Sequence, residues 1–122
     1  MMSGGTGNLL LEKAEAFALR IVRMYQHLVE CKNERVLSQQ VLRSGTSIGA
    51  NVTEGHYAAS KADFINKYVI AEKEAAETLY WLRLLVRANY LDSSTAAQSL
   101  MDDCDELIRL LASSVKTARS SL

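Results

Sequence analysis

The stretch RSGTSIGANVTEG, residues 43–55, decides how this chain folds. It holds three glycines and few good helix formers, and each glycine inside a helix costs up to about 1 kcal/mol relative to alanine. Its apolar positions and glycines nevertheless recur at helical three- and four-residue spacing: Val41, Gly45, Ile48, Val52 and Gly55. Because glycines on an apolar stripe let another helix approach closely, we predict a helix stabilised by tight packing.

A polar stripe lies beside the apolar one and consists of Ser44, Ser47, Asn51 and Glu54. Its position predicts partly buried hydrogen bonds to another helix, a structural role that we favour over a catalytic one. Arg43 and Glu54 lie three turns apart, about 16 Å along a helix axis, and cannot pair with each other. Each therefore needs a partner on a neighbouring helix or on another subunit.

The rest of the chain also has helical periodicity, and it contains no proline. We predict a flexible leader over residues 1–7 and a single domain over 8–122, with helices at about 8–31, 34–57, 61–88 and 93–119. Asn33 and Asn89 are the predicted helix ends, and Ser60 and the segment 92–94 are the predicted N-caps. Short loops between long helices predict an all-α, up-down-up-down antiparallel four-helix bundle.

Three predicted helices have clear core stripes of apolar residues at three- and four-residue spacing. The first helix has Leu10, Ala14, Phe17, Ile21, Met24 and Leu28. The third has Phe64, Tyr68, Ala71, Ala75, Leu79, Leu82 and Val86, and the fourth has Ala97, Leu100, Cys104, Leu107, Leu111 and Ala118. Further apolar residues fall on flanks, at Leu11, Ala18, Val22, Tyr25, Val29, Ile70, Trp81 and Leu84. One interpretation is that neighbouring helices half-cover these flanks. We favour self-association, with Ile70, Glu77, Trp81 and Leu84 as candidate subunit-interface residues.

Composition and charge exclude several classes of protein. The 122 residues carry 14 Lys+Arg against 14 Asp+Glu and are 48% hydrophobic, which is typical of a folded domain and gives no general attraction to nucleic acid. No signal peptide or membrane-spanning segment is predicted, so we expect a cytoplasmic protein with no membrane partner. Cys31 and Cys104 stand apart and are predicted to be reduced thiols, at a helix end and on a core stripe.

The motifs of the common enzyme classes do not occur in this sequence. A di-iron bundle needs Glu-x-x-His, but the residues three before His27 and His56 are Met24 and Thr53. Glu72, Glu74 and Glu77 are interpreted as a solvated or interface face of a helix. We therefore predict a non-enzyme with no metal, no cofactor and no small-molecule substrate.

One basic strip, formed by Lys13, Arg20, Arg23 and His27, could contact nucleic acid. The alternative is a solvated outer face, which we favour because Glu12 and Glu30 lie on the same side. The acidic cluster Asp102, Asp103, Asp105 and Glu106 is predicted to balance basic residues of a neighbouring subunit. The pairs Asp63–Lys67 and Asp105–Arg109 have the i,i+4 order that stabilises a helix.

The pattern Arg43-Ser44-x-x-Ser47-Ile48-x-Ala50-Asn51-Val52-x-Glu54-Gly55, then Phe64 and Ala71-x-x-x-Ala75-x-Glu77-Thr78-x-x-Trp81-Leu82, resembles the 23S rRNA intervening-sequence proteins. The similarity covers nearly all of residues 8–120. It implies a four-helix bundle that assembles as a ring-shaped homopentamer. A related branch, the accessory proteins of diversity-generating retroelements, binds nucleic acid and reverse transcriptase through strongly basic surfaces.

The sequence thus predicts a homo-oligomeric scaffold whose ring presents a surface to a partner. The alternative function is an RNA-binding or ribosome-associated factor that uses the basic strip on the first helix. RNA or another protein would be the partner in addition to further copies of this chain.

Overall fold

The computed structural model describes residues 5–121 of the protein, and side chains from residue 9 onward. Four helices account for nearly all of this range: α1 (Gly5–Lys32), α2 (Leu37–His56), α3 (Lys61–Arg87) and α4 (Thr95–Ser120). Each helix packs against the next, and α4 packs against α1. Because the connections span only residues 33–36, 57–60 and 88–94, neighbouring helices run antiparallel. The predicted all-α four-helix bundle is confirmed.

The helix ends agree with the sequence signals at four places. Asn33 and Asn89 adopt the left-handed backbone conformation, with φ of 54° and 67°, and stop α1 and α3 as predicted. The Ser60 side chain accepts a hydrogen bond from the Asp63 N–H at 3.1 Å and caps α3. In the predicted cap segment 92–94, Ser94 is the residue that caps α4.

Helix α1 begins at Gly5, inside the segment predicted to be a leader. Residues 1–4 of that predicted leader lie outside the part of the chain that the structure describes.

Helix α2 begins at Leu37, three residues later than predicted, because Glu34 caps it. The Glu34 carboxylate accepts hydrogen bonds from the backbone N–H groups of Val36, Leu37 and Ser38 at 3.0, 2.9 and 2.7 Å. Burial raises the pKa of Glu34, but the three backbone donors outweigh it and hold the pKa below 4.5. A carboxylate at this position also interacts favourably with the positive end of the α2 dipole.

The predicted core stripes of α1 and α2 are buried throughout. In α3 the predicted Phe64 is only half-buried, and after Ala75 it is Thr78 and Leu85 that are buried where Leu79 and Val86 were predicted. The hydroxyl of Thr78 hydrogen-bonds to Ser44 and Glu74, so this side chain enters the core without an unsatisfied polar group. In α4, Val115 is buried and the predicted Ala118 is only half-buried.

Candidate interaction surface

The glycines of α2 set the distances between helices. A Cβ atom on Gly45 would lie 2.9 Å from both Cγ atoms of Ile21 in α1, and one on Gly55 would lie 2.7 Å from Cε1 of Tyr68 in α3. Neither distance is compatible with a real methyl group. The close helix approach predicted from the glycine stripe is confirmed at these two positions, one toward each neighbour of α2.

The predicted polar stripe of α2 divides into two parts. Ser44 is fully buried, and its Oγ lies 2.8 Å from Oγ1 of Thr78 in α3, the interhelical hydrogen bond that the stripe predicts. Ser47 and Asn51 are only half-buried and bond within α2, where Asn51 Nδ2 donates to the Ser47 carbonyl at 2.9 Å and to its Oγ at 3.1 Å. Within one chain, Ser44 therefore makes the predicted interhelical bond, whereas Ser47 and Asn51 bond inside α2.

Arg43 and Glu54 both find partners on α3 of the same chain. The Arg43 guanidinium donates to Glu74 at 3.0 Å and also to Glu77. Glu54 lies 2.8 Å from the Lys67 ammonium. Lys67 thus pairs with Glu54 rather than with the predicted Asp63, because the close packing of α2 on α3 brings the Glu54 carboxylate within reach.

Trp81 completes a group with these residues, which we call the Arg43 cluster: Arg43, Glu74, Glu77 and Trp81. The Trp81 indole Nε1 donates to the Glu77 carboxylate at 2.9 Å. Trp81 is half-buried and packs against the core, which agrees with the interpretation that neighbouring helices half-cover this flank.

The Arg43 cluster is held rigid and charged. The Glu77 hydrogen bond outweighs the desolvation of the guanidinium and raises the pKa of Arg43, while hydrogen bonds from Trp81 and Arg43 lower the pKa of Glu77. The Arg43 side chain remains 51% exposed. Arg43 and Trp81 are both hydrogen-bonded to Glu77. Side chains that are already held in position lose little conformational freedom when another molecule binds.

Apolar side chains surround the Arg43 cluster. Tyr80 is 56% exposed, and its ring meets that of Trp81 edge-on with centroids 4.9 Å apart. Ile70 and Leu84 are half-buried and do not belong to the core cluster. Sequence reasoning placed Glu74 and Glu77 on a solvated or interface face but missed Tyr80 as a member of this surface. The three- and four-residue spacing of Glu74, Glu77 and Trp81 was a usable signal that they share one side of α3.

Two residues of the basic strip of α1 pair with acidic residues of the same chain. Lys13 lies 3.3 Å from Glu106, and Arg20 lies 2.5 Å from Asp103, both on α4. The prediction that this acidic cluster balances a neighbouring subunit is therefore wrong for Asp103 and Glu106. The i,i+4 pair Asp105–Arg109 is confirmed, whereas Arg23 and His27 are exposed on α1.

The thiols and histidines lie in different parts of the bundle. Cys31 is exposed at the end of α1, and Cys104 is buried with its Sγ donating to the Ala75 carbonyl at 3.2 Å, as predicted. His56 lines a cavity of about 450 Å³ beside Lys61 and Phe64, at the α2–α3 connection.

Among residues 5–121 no group of three or more His, Cys, Asp and Glu side chains could hold a metal ion. None of the helices in that range is long and apolar enough to cross a membrane.

These features define a class of small all-α proteins: four antiparallel helices around one core, with a glycine-rich second helix. The family model of the 23S rRNA-intervening sequence protein matches residues 8–113, and the chain belongs to this family. The predicted resemblance is confirmed.

A solved structure is similar over almost its full length. It is a protein of unknown function from the S23 ribosomal protein family of Bacteroides thetaiotaomicron, with 48% identity and a TM-score of 0.89. The similarity covers 92% of this chain and 99% of that one. No curated protein matches the chain significantly.

Proposed function

We propose that the protein is a non-enzymatic, cytoplasmic scaffold that self-associates through the Arg43 cluster and the apolar residues around it. The observation that carries this proposal is the half-exposed Arg43, which donates to two carboxylates. One of them, Glu77, also accepts from Trp81, whose ring lies edge-on to the exposed Tyr80. Arg, Trp and Tyr are the residues that contribute most to protein–protein binding energy. The family resemblance favours a homopentamer as the assembled state.

Further support comes from the apolar residues of the same side of α3. Ile70 and Leu84 are partly exposed on the side of α3 that carries Glu77 and Trp81. Together with Tyr80 they surround charged groups that are already paired, so a second copy could cover this surface without burying an isolated charge. Ser47 and Asn51 lie on the adjoining face of α2 and are half-buried, with Asn51 Nδ2 donating to the Ser47 Oγ.

The test is the molar mass in solution. We expect light scattering to give an oligomer for the wild-type protein, and a monomer for Ile70→Glu combined with Tyr80→Glu. Both residues lie outside the core cluster, so circular dichroism should show unchanged helicity. Trp81 is unsuitable for this test because a charge at its position would also disturb the core.

Leu19→Glu is the matched control, because Leu19 is a large apolar residue that is 50% exposed on α1, away from α3. It should leave the mass unchanged. A wild-type monomer would contradict the scaffold proposal, and dissociation by Leu19→Glu alone would place the interface on another face.

A further inference from the structure

The α1–α4 seam differs from the other three seams of the bundle. Far fewer residues approach closely across it than across α1–α2, α2–α3 or α3–α4. The other seams are close-packed, with glycine or small residues where α2 meets its neighbours. The ring of four helices is therefore closed least tightly between its first and last members.

Long charged side chains span the α1–α4 seam. Lys13 Nζ lies 3.3 Å from Glu106, and Arg20 Nη1 lies 2.5 Å from Asp103. The same Arg20 also donates to the Ser99 hydroxyl at 3.3 Å and to the Ala96 carbonyl at 3.5 Å. These ion pairs are one-third to one-half exposed, so dissolved salt screens them.

We propose that the α1–α4 seam is an electrostatic latch. The pairs Lys13–Glu106 and Arg20–Asp103 hold α1 against α4, and when they release, the two helices separate while α1 stays packed on α2. This opening uncovers the core stripe of α4, and a small reagent can then reach Cys104 from the α1 side, although its Sγ stays next to the Ala75 carbonyl of α3. This motion is independent of the proposed self-association, because it depends only on contacts within one chain.

The two cysteines provide the measurement. In the full chain with Cys31→Ser, Cys104 is the only thiol, and it is fully buried. Burial raises the pKa of the Cys104 thiol to about 12, so iodoacetamide reacts only after the core opens. The labelling rate at neutral pH, followed by mass spectrometry, therefore reports opening.

Raising sodium chloride from 0.1 M to 1 M shortens the Debye length from about 10 Å to about 3 Å. We expect this change to accelerate Cys104 labelling. Lys13→Gln and Arg20→Gln should each accelerate it by about 1.4- to 5-fold in 0.1 M salt. In the double variant the salt effect should disappear, and Arg109→Gln, which breaks a pair within α4, should leave the rate unchanged.

Opening of the seam must also be distinguished from unfolding of the whole bundle. The latch requires that Cys104 is labelled faster than it could be through global unfolding alone, as calculated from urea unfolding of the same protein. The labelling rate must also be independent of protein concentration. Labelling at the global unfolding rate, labelling that is insensitive to salt, or equal acceleration by Arg109→Gln would each overturn the proposal.

Discussion

At the scale of single residues, the three glycines of the α2 segment do different things. Gly45 and Gly55 each face a side chain that leaves no room for a methyl group, whereas the nearest atom to a Cβ on Gly49 would be the Ala14 carbonyl oxygen at 3.6 Å. That distance is an ordinary van der Waals contact. The helical spacing already separates them, because Gly45 and Gly55 fall on the apolar stripe and Gly49 does not. The neighbouring helices then determine which side chain each stripe glycine meets.

Gly45→Ala and Gly49→Ala should change stability in opposite directions. Ile21 is β-branched and fully buried, so it cannot move away from a new methyl group, and we expect Gly45→Ala to cost about 1–3 kcal/mol. Gly49→Ala removes only a helix penalty and should gain about 0.5–1 kcal/mol. Urea unfolding followed by circular dichroism measures both, and equal effects would contradict the assignment of Gly45 to a close contact.

Glu34 is the second residue whose role is visible only in the structure. We expect Glu34→Gln to destabilise the protein by about 1 kcal/mol at pH 7, because the α2 N-terminus loses its charged cap. The pKa of Glu34 is lower in the folded protein than its ordinary value of 4.5. Its stabilisation is therefore complete above that value and is lost as the pH falls through the folded-state pKa.

The measurement for Glu34 is the free energy of unfolding in urea at pH 7, 5 and 3. The difference between wild type and Glu34→Gln should shrink at pH 3. The control is Glu30→Gln, since Glu30 is exposed on α1. A difference that persists unchanged at pH 3 would show that the carboxylate charge is not what stabilises α2.

At the scale of elements, α2 and α3 form the most extensive helix pair of the bundle. Their seam combines a glycine contact at Gly55, a buried hydroxyl pair and ion pairs from Arg43 and Glu54. The buried hydroxyls specify how the two helices align, because a shift along the axis would leave Ser44 and Thr78 without each other. The ion pairs lie at the surface and contribute less.

A double-mutant cycle on Ser44 and Thr78 tests this alignment. Thr78→Val leaves the buried Ser44 hydroxyl with only a 3.5 Å contact to Val41 and should cost about 1–3 kcal/mol. Ser44→Ala combined with Thr78→Val should cost less than the sum of the single changes, with a coupling energy of at least about 0.5 kcal/mol. Additive effects in urea unfolding would show that the two hydroxyls are not energetically linked.

At the scale of the whole molecule, the distribution of charge decides between the two functions considered. The chain has 14 basic and 14 acidic residues, and two of the three Lys and Arg side chains of the α1 strip pair with α4. A strip in which most of these cations are already paired releases few counterions on contact with phosphate. The alternative RNA-binding function therefore gains no support from the folded protein.

We expect at most weak binding of a structured RNA at about 0.15 M salt, with little change on Arg23→Ala combined with His27→Ala. Filter binding at several salt concentrations measures this, and Lys116→Ala on α4 is a control that removes the same single formal positive charge from another helix. Tight binding that falls steeply with salt and is abolished specifically by the α1 changes would restore the RNA-binding alternative.

Much of this fold could be predicted from the sequence alone. Three- and four-residue spacing of apolar residues, with asparagine and serine at the helix ends, predicted four helices and their approximate limits. The closely packed glycines, the buried stripe of α2 and the placement of both cysteines followed from the same periodicity. These features depend on neighbours along the chain, and the helical repeat determines which of them share a face.

Only the tertiary structure decided which side chains meet across helices. In the folded chain Arg43 pairs with Glu74 and Glu77, and Lys67 pairs with Glu54. Trp81 packs against the core. Lys13 and Arg20 form ion pairs with α4. Periodicity fixes the face of a helix that a residue occupies, but not the axial offset and rotation of the next helix. Those depend on packing between all four helices at once, so the partners of charged side chains are set by the assembled bundle.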